Sequence, residues 1–243
     1  MQAAAAGETP ERQKRANTAE KRGEDMQETD ISRADYWAGR YQRGETAWDL
    51  GAPCTVFQDA LARGLLPFPG NPDRARHVLT PGCGNGHDAE VFARRGYRVT
   101  ALDFAPEPLA NLQRRIEGQK LPITTLRRDV FALTPADLAP VDIVLEYTMY
   151  CAIDPQRRED YLGVLAALLQ PDAVVAALLF PLGTPNEGPP FAIDPDEYEA
   201  QWAAHGLRVE HRETPRASHP ARSGNELLMI LRNTAAEGGF KRA

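Results

Sequence analysis

The stretch His77-Val78-Leu79-Thr80-Pro81-Gly82-Cys83-Gly84-Asn85-Gly86-His87-Asp88 decides the fold. A short apolar run leads into three alternating glycines, and Asp88–Arg95 then carries helical periodicity. A strand that turns sharply needs residues without a Cβ where the backbone bends or a ligand comes close. The helix that follows directs free N–H groups and a positive dipole end toward that point. Alone, such a loop is either a tight turn or a ligand cradle.

Working outward, strands are predicted at Arg98–Leu102, Pro122–Leu126, Val141–Leu145 and Ala173–Phe180. Helices alternate with them at Glu107–Glu117, where Pro106 stands near the start, and at Arg157–Leu169. A helix at Asp194–His205 and strands at Leu207–His211 and Glu226–Leu231 close the chain. The alternation predicts an α/β fold: a mostly parallel, seven-stranded sheet with helices on both faces. The last two strands have no helix between them and are expected as an antiparallel edge.

Asp103 follows the second strand and Asp129 the third. A carboxylate at the end of the strand next to a glycine loop suits the hydroxyls of a ribose, and the next one lies where an adenine could be read. Either acid alone is common at a surface; together they favour a nucleoside cofactor. Dinucleotide sites use G-x-G-x-x-G, whereas this loop is G-x-G-x-G. S-adenosylmethionine has no pyrophosphate to cradle and suits the shorter motif.

Residues 1–30 contain no Val, Ile, Leu, Phe, Trp or Tyr and are expected to be a disordered tail. Residues 31–243 are expected to form one domain, with 31–75 a helical segment covering the active site. Within it Trp37 and Tyr41 are four apart, on one face if helical, and Trp48 follows; a second helix is predicted over Val56–Arg63.

The chain has 243 residues, 42% hydrophobic and 26% charged, which suits one sizeable domain. A net charge of −6 gives no broad attraction to nucleic acid or anionic membrane and points to small-molecule partners. No apolar run approaches the roughly 18–20 residues of a membrane span. The three cysteines, Cys54, Cys83 and Cys151, lie far apart with no zinc or disulfide spacing. With no apolar signal core at the start, a cytoplasmic, monomeric protein is the expectation.

The motifs resemble the thiopurine S-methyltransferase superfamily, most of all its halide/thiol methyltransferase branch. The likeness rests on Thr80–Asp88 with Leu102-Asp103-Phe104, on Thr46–Gly51, and on Arg128-Asp129-Val130-Phe131. It continues through Glu146–Pro155, Phe180-Pro181-Leu182 and Gly188-Pro189-Pro190-Phe191, from about Trp37 to about Leu231. The resemblance implies a Rossmann-like class I methyltransferase fold, with S-adenosyl-L-methionine as methyl donor and S-adenosyl-L-homocysteine as product. It implies that Trp37, Tyr41 and Trp48 wall the cofactor pocket, that Gly82 and Asp103 meet its methionine and ribose, and that Asp129 and Val130 border its adenine. Gly84, Asp88, Phe104 and Phe131 complete the cofactor set. Tyr147 is implied near both sulfonium and acceptor, Arg158 beside an acceptor thiol, and Trp48, Phe180 and Phe191 in the acceptor pocket. Tyr41 and Phe180 depart from the plant halide pattern, which has Trp and Tyr there, so the hydroxyl at the second position is missing.

Residue chemistry leaves alternatives beside these. Trp37 and Trp48 are suited to packing as well as to facing a sulfonium. Arg158 is either a solvated helix-face arginine or a charge that lowers a thiol's pKa. Cys151 fits as a small packing residue. The histidines (His77, His87, His205, His211, His219) show no H-E-x-x-H pairing, so no metal is expected, and no serine sits in a G-x-S-x-G elbow. The expected activity is methyl transfer to a small-molecule thiol. Halide methylation, an N/O-methylating biosynthetic enzyme, or a catalytically silent cofactor binder are the other possibilities.

Overall fold

The computed structural model describes residues 30–70 and 74–234; most of the expected N-terminal tail lies outside them. Helices α1 (Ala34–Arg43) and α2 (Thr55–Ala62) come first. Then follow β1 (His77–Pro81), α3 (His87–Arg94), β2 (Arg98–Asp103), α4 (Pro106–Ile116), β3 (Ile123–Arg127) and β4 (Val141–Tyr147). The series ends with α5 (Arg158–Leu168), β5 (Leu169–Leu179), α6 (Pro195–Ala204), β6 (Leu207–Glu213) and β7 (Leu227–Asn233). One seven-stranded sheet has the order β3-β2-β1-β4-β5-β7-β6. β1 to β5 pair in parallel, and β7 runs antiparallel to both β5 and β6.

Side chains alternate across a strand, so a sheet covered on both faces needs apolar residues at every position. β5 does this: Val174, Ala176 and Leu178 face one core, Val175, Ala177 and Leu179 the other. The first core receives Phe57 of α2, Phe92 of α3 and Leu112 of α4. The second receives Tyr161 and Leu165 of α5 with Tyr198 and Trp202 of α6. Asp194 caps α6 by accepting hydrogen bonds from the Asp196 and Glu197 N–H groups.

The expected elements are present with shifted ends. The helix expected over Arg157–Leu169 begins at Arg158, after a separate turn of 3₁₀ helix over Pro155–Arg157. It stops at Leu168, and β5 begins four residues before the expected Ala173. Pro171 disfavours helical backbone at Gln170 and removes a donor, while Asp172 takes a positive φ of 62°.

The glycine loop joins the two layers at the carboxyl end of β1. Gly82, Gly84 and Gly86 have φ of 55°, 53° and 70°, in the left-handed region. A Cβ on Gly86 would lie 2.6 Å from Leu112 Cδ2. Gly86→Ala should therefore combine left-handed strain with a clash against α4 and destabilise the protein by roughly 2–4 kcal/mol, read as a lowered urea midpoint at unchanged m-value.

Candidate active site

The site forms where the carboxyl ends of the parallel strands meet the N-terminal segment. Asp103, at the end of β2, is 8% exposed, and its two oxygens organise the backbone around it. Oδ2 accepts from Gly84 N–H and Oδ1 from Ala105 N–H, both at 3.0 Å. Burial raises its pKa to about 6 even though these N–H groups hold it down. Each oxygen keeps lone-pair capacity for a diol hydroxyl. Asp129, after β3, accepts from Phe131 N–H and caps the short turn Val130–Ala132.

Above them stands an aromatic wall. Trp37 and Tyr41 on α1 meet the Trp48 ring edge to face, with centroids 5.3 and 5.6 Å away, and Trp48 Nε1–H donates to Tyr41 Oη. Arg40 lies over the Trp48 ring at 5.4 Å.

Between loop, acids and wall lies a cavity of about 410 Å³. It is bordered by Trp37, Tyr41, Trp48, Gly82, Asp103, Phe104, Asp129, Val130, Phe131 and Phe180, so the structure brings these predicted residues together. Others are elsewhere. Gly84 is bound to Asp103, and Asp88 accepts from Cys54 N–H beside a smaller cavity. Tyr147 also lines that smaller cavity, and its hydroxyl donates to Glu226 Oε1 at 2.7 Å. Phe191 donates its N–H to the Cys151 carbonyl, while Pro189 and Pro190 take the place at the cavity edge. Arg158 lies 5% exposed under the site rather than in it. Its guanidinium stands 4.4 Å from the Tyr150 ring centroid and donates to the Phe191 and Ala192 carbonyls.

The cation that does border the large cavity from a buried position is Arg222, in the loop between β6 and β7, and the sequence offered no sign of it. It is 4% exposed, with its guanidinium 4.5 Å from the Phe180 ring centroid and 4.9 Å from that of Tyr147. Nη2 donates to the Trp48 carbonyl at 2.8 Å, and Nη1 is buried without a partner among the described residues. No segment pattern marks such a residue; a buried arginine in an irregular loop is visible only once Trp48 and Phe180 are placed in space.

The family model of thiopurine S-methyltransferase matches residues 32–232. This chain belongs to the thiopurine S-methyltransferase family. Like the family, it is an S-adenosylmethionine-dependent methyltransferase. Thiocyanate methyltransferase 1 of Arabidopsis thaliana is 28% identical to this family member over 195 residues, covering 79% of this chain and 82% of its own length. Thiopurine S-methyltransferase of Pseudomonas aeruginosa is 27% identical over 200 residues, covering 74% and 86%. In fold it is similar to the 1,6-didemethyltoxoflavin-N1-methyltransferase of Burkholderia thailandensis, with TM-score 0.64 and 23% identity over 83% of this chain and 87% of that one. Among the described residues no helix is long and apolar enough to cross a membrane.

The residues present fit the donor: a carboxylate for the ribose, aromatic faces for a sulfonium cation, and left-handed glycines that let the loop backbone come close. Asp103→Ala would remove the carboxylate that borders the cavity and release the Gly84 and Ala105 amides. It should weaken S-adenosylhomocysteine binding by about 10–100-fold, as expected for lost hydrogen bonds to a charged group, measured by titration calorimetry.

Proposed function

We propose that this enzyme methylates a small, soft, anionic acceptor, with a thiol taken as its thiolate. The carrying observation is Arg222, a buried guanidinium at the large cavity with one unpaired N–H group, framed by Trp48, Phe180 and Tyr147. The names of the relatives, probable thiol methyltransferase and thiocyanate methyltransferase in Arabidopsis thaliana and thiopurine S-methyltransferase in Pseudomonas aeruginosa, support an acceptor of this class.

S-adenosylmethionine supplies an electrophilic methyl group on a positively charged sulfur. The chain's own residues do the rest. Asp103 and Asp129 hold the nucleoside end, and Trp37, Tyr41 and Trp48 face the sulfonium. Phe180, Pro189 and Pro190 enclose the acceptor and exclude water, which favours an in-line displacement. A positive charge within a few ångströms favours the ionised thiol, so Arg222 lowers the acceptor's pKa and orients it. No general base is required, because the thiolate forms before transfer. Arg158 acts at one remove, fixing the Phe191–Ala192 backbone behind the prolines. The 31–75 segment covers the site.

Halide methylation is the second possibility, favoured by the same unpaired cation, which any small anion can meet. Phe180, lacking a hydroxyl, offers such an ion no further donor.

Incubating the full chain with the donor and hydrosulfide, an aryl thiol or iodide should give a methyl sulfide faster than methyl iodide. No methylated product from any of the three would refute the acceptor class. Arg222→Gln should lower kcat/KM for the thiol by about 10–100-fold. It should also move the rising limb of the pH–rate profile to higher pH, because without the guanidinium the thiol ionises later. S-adenosylhomocysteine affinity should stay within about threefold; a large loss would place the guanidinium on the donor's carboxylate instead.

A further inference from the structure

The turn after β4 is built around a buried acid that lines neither of the cavities beside it. Glu146 is 1% exposed. Its Oε1 accepts from Met149 N–H at 3.2 Å and from Tyr150 N–H at 2.8 Å, while Oε2 accepts from the Tyr161 hydroxyl on α5. The turn it closes is strained: Thr148 has φ of 65°, a region that β-branched residues rarely enter. Strain of this kind persists where the surroundings over-determine it, and here two backbone donors converge on one carboxylate oxygen.

This turn forms part of the large cavity's wall. A Cβ on Gly82 would lie 2.6 Å from Met149 Sδ, so Met149 packs directly against the glycine loop. Thr148, Met149, Cys151, Ala152 and Ile153 border the cavity, and the Cys151 carbonyl accepts from Phe191 N–H at 2.7 Å. The same carboxylate also faces a charge. Arg158 stands over the Tyr150 ring at 4.4 Å, holds the Phe191 and Ala192 carbonyls, and keeps Nε buried without a partner among the described residues. It is near enough to favour the ionised form of Glu146. Tyr150, Tyr161, Cys151 and Tyr198 of α6 complete the surroundings, and burial pushes all four up, so they stay neutral near neutral pH.

We propose that Glu146 is a positioning residue for methyl transfer. Its carboxylate fixes the 148–151 turn directly and the Phe191–Ala192 backbone through Arg158, so one buried anion sets two sides of the wall that receives the acceptor. This rests on the acceptor lying at Phe180, Pro189 and Pro190, as proposed above. Only the ionised form acts in full. A proton on Oε2 would have to be donated to Tyr161 Oη, reversing that hydrogen bond, and the charge facing the turn and Arg158 would be lost. Burial raises the Glu146 carboxyl to about 7, against the hydrogen bonds and the Arg158 charge that lower it. The arrangement is therefore present above about pH 7 and fades as the pH falls through that value. Because the folded-state value lies above the ordinary one, stability is lost as the pH rises toward it, so stability does not favour an ionised acid here.

Glu146→Gln in the full chain tests it, because the amide oxygen can accept from both N–H groups while the amide NH2 donates to Tyr161 Oη, as the neutral acid would. The acceptor probe is 5-thio-2-nitrobenzoate, an aryl thiol ionised throughout the range measured, so its own titration does not enter the profile. In the wild type kcat/KM for this thiol should rise through an apparent pKa of about 7. The variant should lose that limb and stay about 10-fold lower above it, with S-adenosylhomocysteine affinity within about threefold by calorimetry. Its urea midpoint at about pH 8 should be no lower than that of the wild type. The same limb in the variant, an unchanged kcat/KM, or a loss that tracks a lowered midpoint would each overturn the proposal. Amide hydrogen exchange gives a reading that needs no acceptor: exchange over residues 186–193 should be about threefold faster or more in the variant, with 82–88 unchanged. No acceleration over 186–193, or the same acceleration in both segments, would overturn it too. If the wild type leaves this thiol unmethylated, the acceptor reading is what fails, and the exchange comparison still decides the role of Glu146.

Discussion

The Asp103 carboxylate is the constraint on which the site depends. One oxygen ties down Gly84 in the loop after β1, and the other ties down Ala105 at the start of α4. A single side chain thus fixes two backbone segments from neighbouring strands and still faces the cavity. The glycines permit the left-handed turns, but permission is not direction: without the carboxylate, three glycines within five residues would sample many shapes. Holding the group ionised in a buried place works against burial, and the N–H groups aimed at it offset part of that penalty.

Legibility in the sequence follows from what kind of signal each feature leaves. The sheet was readable because two-sided burial writes itself as unbroken apolar runs, of which Ala173–Leu179 is the clearest. The glycine loop and its acids were readable because their chemistry lies at fixed offsets from strand ends. The start of β5 was not, since Leu169 and Gln170 look helical until Pro171 and Asp172 are weighed as a break. Arg158 and Arg222 show the sharper limit. Arg158 is marked by the family resemblance, yet its guanidinium goes to the carbonyls of Phe191 and Ala192. Arg222 stands in a loop without periodicity, and its partner Trp48 is 174 residues away. Spacing along the chain carries no trace of such a meeting.

Charge in this active site is divided by one ring. Tyr147 gives its hydroxyl to Glu226 and one face to Arg222, so a buried carboxyl group and a buried guanidinium meet the same ring. Arg222 Nη1 and Glu226 Oε2 are both buried without a hydrogen-bond partner among the described residues. The burial of Tyr147 and its bond to Glu226 push its phenol far above the ordinary range, so the ring stays neutral as a spacer.

Helix α1 contains no buried residue at all, although it carries two of the three rings of the aromatic wall. It is held to the rest of the molecule by edge-to-face ring contacts and by exposed links such as Gln42 to Glu107 on α4. A helix attached in this way opens at a free energy well below that of global unfolding. The helix that carries two rings of the cavity wall is consequently less anchored than the helices packed into the two cores. An occupant that fills the space beneath the tryptophans would add the apolar contact that α1 lacks, so a filled cavity would hold this helix more firmly than an empty one.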